Sequence, residues 1–130
     1  MKTLYLPIKK KWFDMIKSGD KTQEYREIKD FWMRRLISLK DDMEYSAWDE
    51  FITDLNHPYN RHSGPDECLN YFEARFKEFD SVEFRNGYDK KVPSLKKELR
   101  YIAVGTGNKR WGAVSGKFYF ILELGKIMVS

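Results

Sequence analysis

The chain has 130 residues, 42% apolar and 16% aromatic, which is enough for a buried core and too rich in core formers for a disordered segment. Its 24 basic and 20 acidic residues leave a net charge of +4 at a pI near 9.1, a modest excess that favours a polyanionic partner only where the bases converge in the fold. No apolar run approaches the roughly 20 residues of a membrane span, the opening residues lack a secretory signal, and Cys68 is the sole cysteine. These features predict a single cytoplasmic domain over residues 1–130 with no membrane partner and no internal disulfide.

Leu4, Leu6 and Ile8 alternate with other residues and predict a first strand with one apolar face. Trp12, Phe13, Met15 and Ile16 follow at helical spacing, so a short helix is expected from Lys10 to Ser18, ended by Gly19. The run from Lys21 to Ile28 reads as a second strand with Thr22, Glu24, Arg26 and Ile28 on one face. Asp30 is the expected N-cap of a helix carrying Phe31, Trp32, Met33, Leu36 and Ile37. Trp48, Phe51, Ile52 and Leu55 predict a further helical turn or two, residues 57–65 a loop, and Leu69, Phe72, Phe76 and Phe79 an amphipathic helix over about Pro65 to Glu78. Residues of about 40–78 thus form a helical insertion.

Residues 81–85 read as a strand, Asn86-Gly87 as a turn, Lys96 to Val104 as another strand and Gly105-Thr106-Gly107-Asn108 as a flexible connection. Phe118, Phe120, Leu122 and Leu124 alternate in a last strand placed to close the sheet beside the first. The expected architecture is α+β, a small mixed β-barrel of about five to six strands with a helix between the first two strands.

The segment Gly19-Asp20-Lys21-Thr22-Gln23-Glu24-Tyr25-Arg26 is the most informative, because it sets a lysine at a helix-to-strand junction and an acid and an arginine on one strand face. Pairing of Glu24 with Arg26 would leave Lys21 free for a phosphate or base edge in a solvent-open cleft edged by Lys9, whereas a purely structural ion pair would explain the same residues. Arg110 and Trp111 follow the glycines and suit a phosphate and a stacked base, or a core plug with Arg110 in solvent. Arg85 can read a base edge, although turn geometry alone explains Asn86-Gly87. His57, His62 and Cys68 match no common metal spacing, and no helical pattern follows Gly105-Thr106-Gly107 as a dinucleotide fingerprint requires, so neither metal nor cofactor is expected.

The chain resembles the ASCH domain of the PUA-like superfamily, especially its short bacterial and phage versions. The resemblance is carried by Leu4-Tyr5-Leu6-Pro7-Ile8-Lys9, Trp12-Phe13-Asp14-Met15-Ile16, Gly19-x-Lys21-Thr22-x-Glu24-x-Arg26, Lys29-x-x-Trp32, Phe84-Arg85-Asn86-Gly87-Tyr88 and Gly105-x-Gly107-x-x-x-Trp111-Gly112, with residues 40–78 outside it. It implies a β-barrel whose cleft is lined by the Lys21 to Arg26 strand and an RNA- or nucleotide-binding role through Lys9, Lys21, Thr22, Glu24, Arg26, Arg85, Arg110 and Trp111. Some relatives are amidohydrolases on N4-acylated cytidine and others are described as ribonucleases. The lysine of the deacylase triad matches Lys21, but its threonine position holds Glu24, so an enzymatic alternative rests on Lys21 and Glu24 as the catalytic pair. A third possibility is a protein partner held by Tyr45, Trp48, Phe51, Tyr59, Tyr71 and Phe72 of the insertion.

Overall fold

A computed structural model of the chain describes residues 2–87 and 91–128; Tyr88 of the resemblance lies outside them. The fold is α+β; the described residues hold four α-helices and a curled half-barrel sheet of five strands in the order β1 (Thr3–Pro7), β5 (Ser81–Arg85), β6 (Ser94–Thr106), β7 (Phe118–Ile127) and β2 (Gln23–Glu27). The chain divides into two compact units, residues 1–24, 78–103 and 122–130 forming the first and residues 25–77 and 104–121 the second.

In the first unit, β1 (Thr3–Pro7) buries Leu4 and Leu6, as their alternation requires. It pairs in parallel with β5 (Ser81–Arg85), Leu4 opposite Val82 and Leu6 opposite Phe84. Parallel pairing needs a long crossover, supplied by all the chain between the two strands. α1 (Lys10–Ser18) buries Phe13 and Ile16 and stops at Gly19, whose φ of 87° lets its N–H reach the Ile16 carbonyl at 3.2 Å. β5 runs antiparallel to the start of β6 (Ser94–Thr106), Val82 facing Lys97 and Phe84 facing Leu95. The chain passes between the units along β2 (Gln23–Glu27), β6 and β7 (Phe118–Ile127).

The second unit holds α2 (Asp30–Leu36), β3 (Ile37–Leu39), α3 (Tyr45–Asn56), α4 (Pro65–Tyr71) and β4 (Ala74–Phe76). Its core gathers Met33, Leu36, Trp48, Phe51, Leu55 and Leu69. β3 and β4 form a separate antiparallel pair, Ile37 facing Phe76 and Leu39 facing Ala74.

Four expectations are corrected. β7 does not close the sheet beside β1; it lies between β6 and β2, and Tyr119, Phe120, Ile121 and Leu122 are all buried, as in a strand covered on both faces. The helix expected over 65–78 ends at Tyr71, because Glu73 takes a left-handed φ of 53° and the following residues turn back as β4. Phe72, Phe76 and Phe79 mimic a helical stripe that the backbone does not follow, and Ile37 opens β3 instead of continuing α2. Asp30 is the first residue of α2 and makes no N-cap bond; its carboxylate accepts from Trp48 Nε1 at 2.7 Å and from Arg34 Nε at 3.0 Å, which holds it below the usual carboxylate range.

Candidate functional site

The centre of the first unit's polar chemistry is built at the α1–β2 junction. Past Gly19 the Lys21 N–H donates to the Met15 carbonyl at 3.0 Å, which folds the chain back over the end of α1. Lys21 is thereby buried to 1% exposure, with Nζ 5.6 Å from the centroid of the Trp12 indole. Nζ donates to Glu24 Oε1 at 2.9 Å and to the Gln23 carbonyl, and the two side chains are 0% and 8% exposed. Next to the pair, Gln23 Nε2 donates to Glu123 Oε2 at 2.7 Å, and the Leu124 N–H to the Thr22 carbonyl at 3.0 Å. The solvent-open setting expected for Lys21 and Glu24 is replaced by a buried, mutually hydrogen-bonded pair, because the return over α1 draws the lysine inward. Thr22 remains exposed.

Exposed cations surround this unit. Lys9 precedes α1 in extended conformation, and its ammonium has no ion pair among the described residues. Lys10 pairs with Asp14 at 2.6 Å, and Lys11 Nζ lies 4.6 Å from the Trp12 ring centroid. Arg85 donates weakly to Glu83 at 3.4 Å and holds its guanidinium 5.9 Å from the centroid of Tyr5. Lys97 is buried on β6, where desolvation holds its amine below the ordinary lysine value.

The second unit holds the other predicted residues. Arg26 is half-buried, its guanidinium 5.0 Å from the centroid of Trp32. Arg110 is exposed and Trp111 half-buried in a 3-10 turn over Lys109–Trp111, which is capped by Asn108 accepting from the Arg110 N–H at 2.9 Å. The flexible connection expected at 105–108 is a strand end followed by a packed turn. Tyr25 Oη accepts from the Asn108 N–H at 2.9 Å, and a Cβ on Gly107 would come within 2.6 Å of Ala113 Cβ and 2.8 Å of Tyr25 Cζ. The glycine there serves close packing.

His62 meets Asp54 at 2.9 Å with side chains 8% and 4% exposed, and Arg61 bridges the same aspartate and Glu50. Cys68 is buried beside them, its thiol pushed up to about 12 by burial and then by the Asp54 charge, so it is no thiolate nucleophile. His57 is exposed at the end of α3, and no group of three or more His, Cys, Asp or Glu suited to a metal occurs among the described residues. Of the insertion's aromatics, Trp48 and Phe51 are core, Phe72 stacks on Phe51 at 4.6 Å, and Tyr45, Tyr59 and Tyr71 are exposed. Among the described residues no helix is long and apolar enough to cross a membrane.

Sequence reasoning missed Trp12 as the cover of Lys21, Glu123 as the anchor of Gln23, and Tyr5 as an exposed ring beside Arg85. Glu123 carried a signal, being the one charge inside the apolar run from Phe118 to Leu124. Compared with known protein families, curated proteins and solved structures, the chain matches none.

Proposed function

We propose that the chain is an RNA- or nucleotide-binding module of ASCH-like type, whose binding surface lies on the first unit around the Lys21–Glu24 pair. One observation carries the reading. Of the 24 basic and 20 acidic residues, 13 and 9 fall in the first unit and 11 and 11 in the second, so the whole +4 excess sits with the buried pair. A buried ion pair is weak support for stability, since its desolvation cost rivals its attraction, and this one is singled out by the positive charge gathered in its unit. In this reading Lys21 and Glu24 set the charge and shape beneath Trp12, and the exposed Lys9, Lys11 and Arg85 meet phosphates.

Three phosphate contacts give a slope of about −2 in log affinity against log salt for a single strand. The test is fluorescence anisotropy of the whole chain with a labelled single-stranded RNA octamer across a salt series. Replacing Lys9 with Ala is expected to flatten the slope by about 0.7. A wild-type chain that does not bind the octamer at low salt would sink the proposal.

The 2.9 Å contact of Lys21 with Glu24 favours one second reading, a hydrolase on RNA or an N4-acylcytidine in which Glu24 is general base for water and Lys21 holds the developing oxyanion. Turnover of N4-acetylcytidine or RNA that disappears on Glu24→Gln is its signature.

A further inference from the structure

The second unit carries a charged hollow made of none of the residues assigned above to nucleic acid. It measures about 610 Å³ and lies where the β3–β4 ribbon meets the end of α4. The ladder sets Ser38 opposite Arg75 and Leu39 opposite Ala74, and the Lys40 N–H continues it by donating to the Glu73 carbonyl at 3.2 Å. These cross-strand pairs line the hollow, and Asn70, in the last turn of α4, completes the lining. Strand pairing thus gathers two cations, a carboxylate, a hydroxyl and a carboxamide around an apolar pair.

The charges at this hollow are uncompensated. Lys40, Glu73 and Arg75 are exposed, and none of them forms an ion pair or a side-chain hydrogen bond among the described residues. Elsewhere in the unit such groups do pair, Arg34 with Asp30 at 3.0 Å, Arg61 with Glu50 at 2.8 Å and Lys117 with Glu27 at 3.1 Å. A carboxylate and two cations that line one space without meeting keep their hydrogen-bonding capacity for a ligand. Glu73 is also the one non-glycine residue with a positive φ among the described residues, at 53°. Its backbone is held there from both sides, its N–H donating to the Asn70 carbonyl at 3.0 Å and its carbonyl accepting from Lys40. Glycine or asparagine meets a left-handed turn at lower cost, so the turn alone does not account for a glutamate. A ligand that uses the carboxylate does.

The chemistry of the lining selects the ligand class. Arg75 offers a planar fork and Lys40 a point charge to a carboxylate. Glu73, with the oxygens of Asn70 and Ser38, accepts from an ammonium. A bare anion would be repelled by Glu73, and a bare amine by both cations. Leu39 and Ala74 add an apolar surface for an aliphatic chain, and the volume falls within the range of about 300–1,000 Å³ usual for small-molecule sites. We infer that the hollow binds a free α-amino acid with an aliphatic side chain, its carboxylate held by Arg75 and Lys40 and its ammonium by Glu73. The inference goes beyond the RNA reading and stands without it.

The test is amide NMR of the whole chain titrated with L-leucine, with isocaproate, which lacks the ammonium, with isoamylamine, which lacks the carboxylate, and with inorganic phosphate. L-leucine is expected to shift the amides of residues 38–40 and 70–75 saturably, with a dissociation constant about tenfold or more below that of any other probe. Arg75→Ala should weaken L-leucine and isocaproate alike, by about tenfold, whereas Glu73→Gln should weaken L-leucine by about tenfold and leave isocaproate no weaker. Glu73→Gly separates the site from the fold, because it relieves the left-handed backbone: Tm should hold or rise while L-leucine affinity falls. Isocaproate or phosphate binding as tightly as L-leucine would reduce the hollow to a simple anion site and overturn the assignment, and so would full L-leucine affinity in Glu73→Gln. Unmoved amides at these residues with millimolar L-leucine would overturn it outright.

Discussion

Among the described residues each unit buries a hydrogen-bonded pair of titratable side chains, and the two are embedded differently. Lys21 and Glu24 lie three residues apart in a unit with an excess of four positive charges, covered by an indole. Asp54 and His62 lie eight residues apart in a unit whose charges cancel, and Arg61, itself 57% exposed, carries their charge outward to Glu50 and solvent. Burial of a pair is therefore no signature of a ligand site. The balanced surface, the solvent-linked arginine and the neighbouring stack of Phe51 on Phe72 give the second pair a structural role, holding α3 to the loop before α4. The first lies under Trp12, and its unit is the one with the positive excess.

The sharpest way to break this contrast is to remove half of each pair. Lys21→Ala removes the ammonium that a buried carboxylate accepts from and should cost about 3–5 kcal/mol, read as a fall in Tm on the order of 10 °C or more. The double change Lys21→Met with Glu24→Leu should recover most of that stability, because apolar residues of similar volume replace the pair without a stranded charge. If the double variant is stable and still binds RNA as the wild type does, the pair has no functional part and the two units are alike in this respect.

Asp54→Ala should cost about 2–3 kcal/mol through the lost hydrogen bond of His62 and the lost ion pair with Arg61, with RNA affinity of the folded protein unchanged. Cys68 reports the same event, since a thiol held near 12 and buried resists disulfide reagents until its unit opens. Labelling of Cys68 should accelerate in Asp54→Ala as its unit destabilises and as the aspartate that raised the thiol is lost. An unchanged labelling rate would place Cys68 outside the cooperative unit built on α3 and α4.

The smallest effect belongs to Lys97 of the first unit. Desolvation places its folded pKa below the ordinary 10.5, so between the two values the folded chain binds fewer protons than the unfolded one and stability rises with pH. The cost of burying the ammonium is fully present below the folded pKa and is relieved as pH approaches 10.5. Lys97→Met should stabilise the chain by under about 1 kcal/mol at neutral pH, and denaturant titrations should show that advantage shrinking with alkalinity. An advantage independent of pH would assign the gain to packing alone.

By itself the sequence determined the local elements and the polarity of the segment that matters. Alternation marked β1 and its buried Leu4 and Leu6, helical spacing and Gly19 bounded α1 to the residue, and the mixture of Lys21, Glu24 and Arg26 singled out the junction that proved to hold a buried pair. These are properties of neighbours within one turn or one pleat, where side-chain direction follows from the backbone period. Only the tertiary structure decided what lies far apart along the chain. It set β7 between β6 and β2, stopped α4 at Tyr71 so that Ala74–Phe76 could pair with Ile37–Leu39, paired Glu24 with Lys21 beneath Trp12, and brought Tyr5 to Arg85 across eighty residues of chain. The reason is that a sequence period fixes which face a residue occupies, while the occupant of the opposite face is chosen by long-range strand pairing and by the competition for burial, and neither has a local signal.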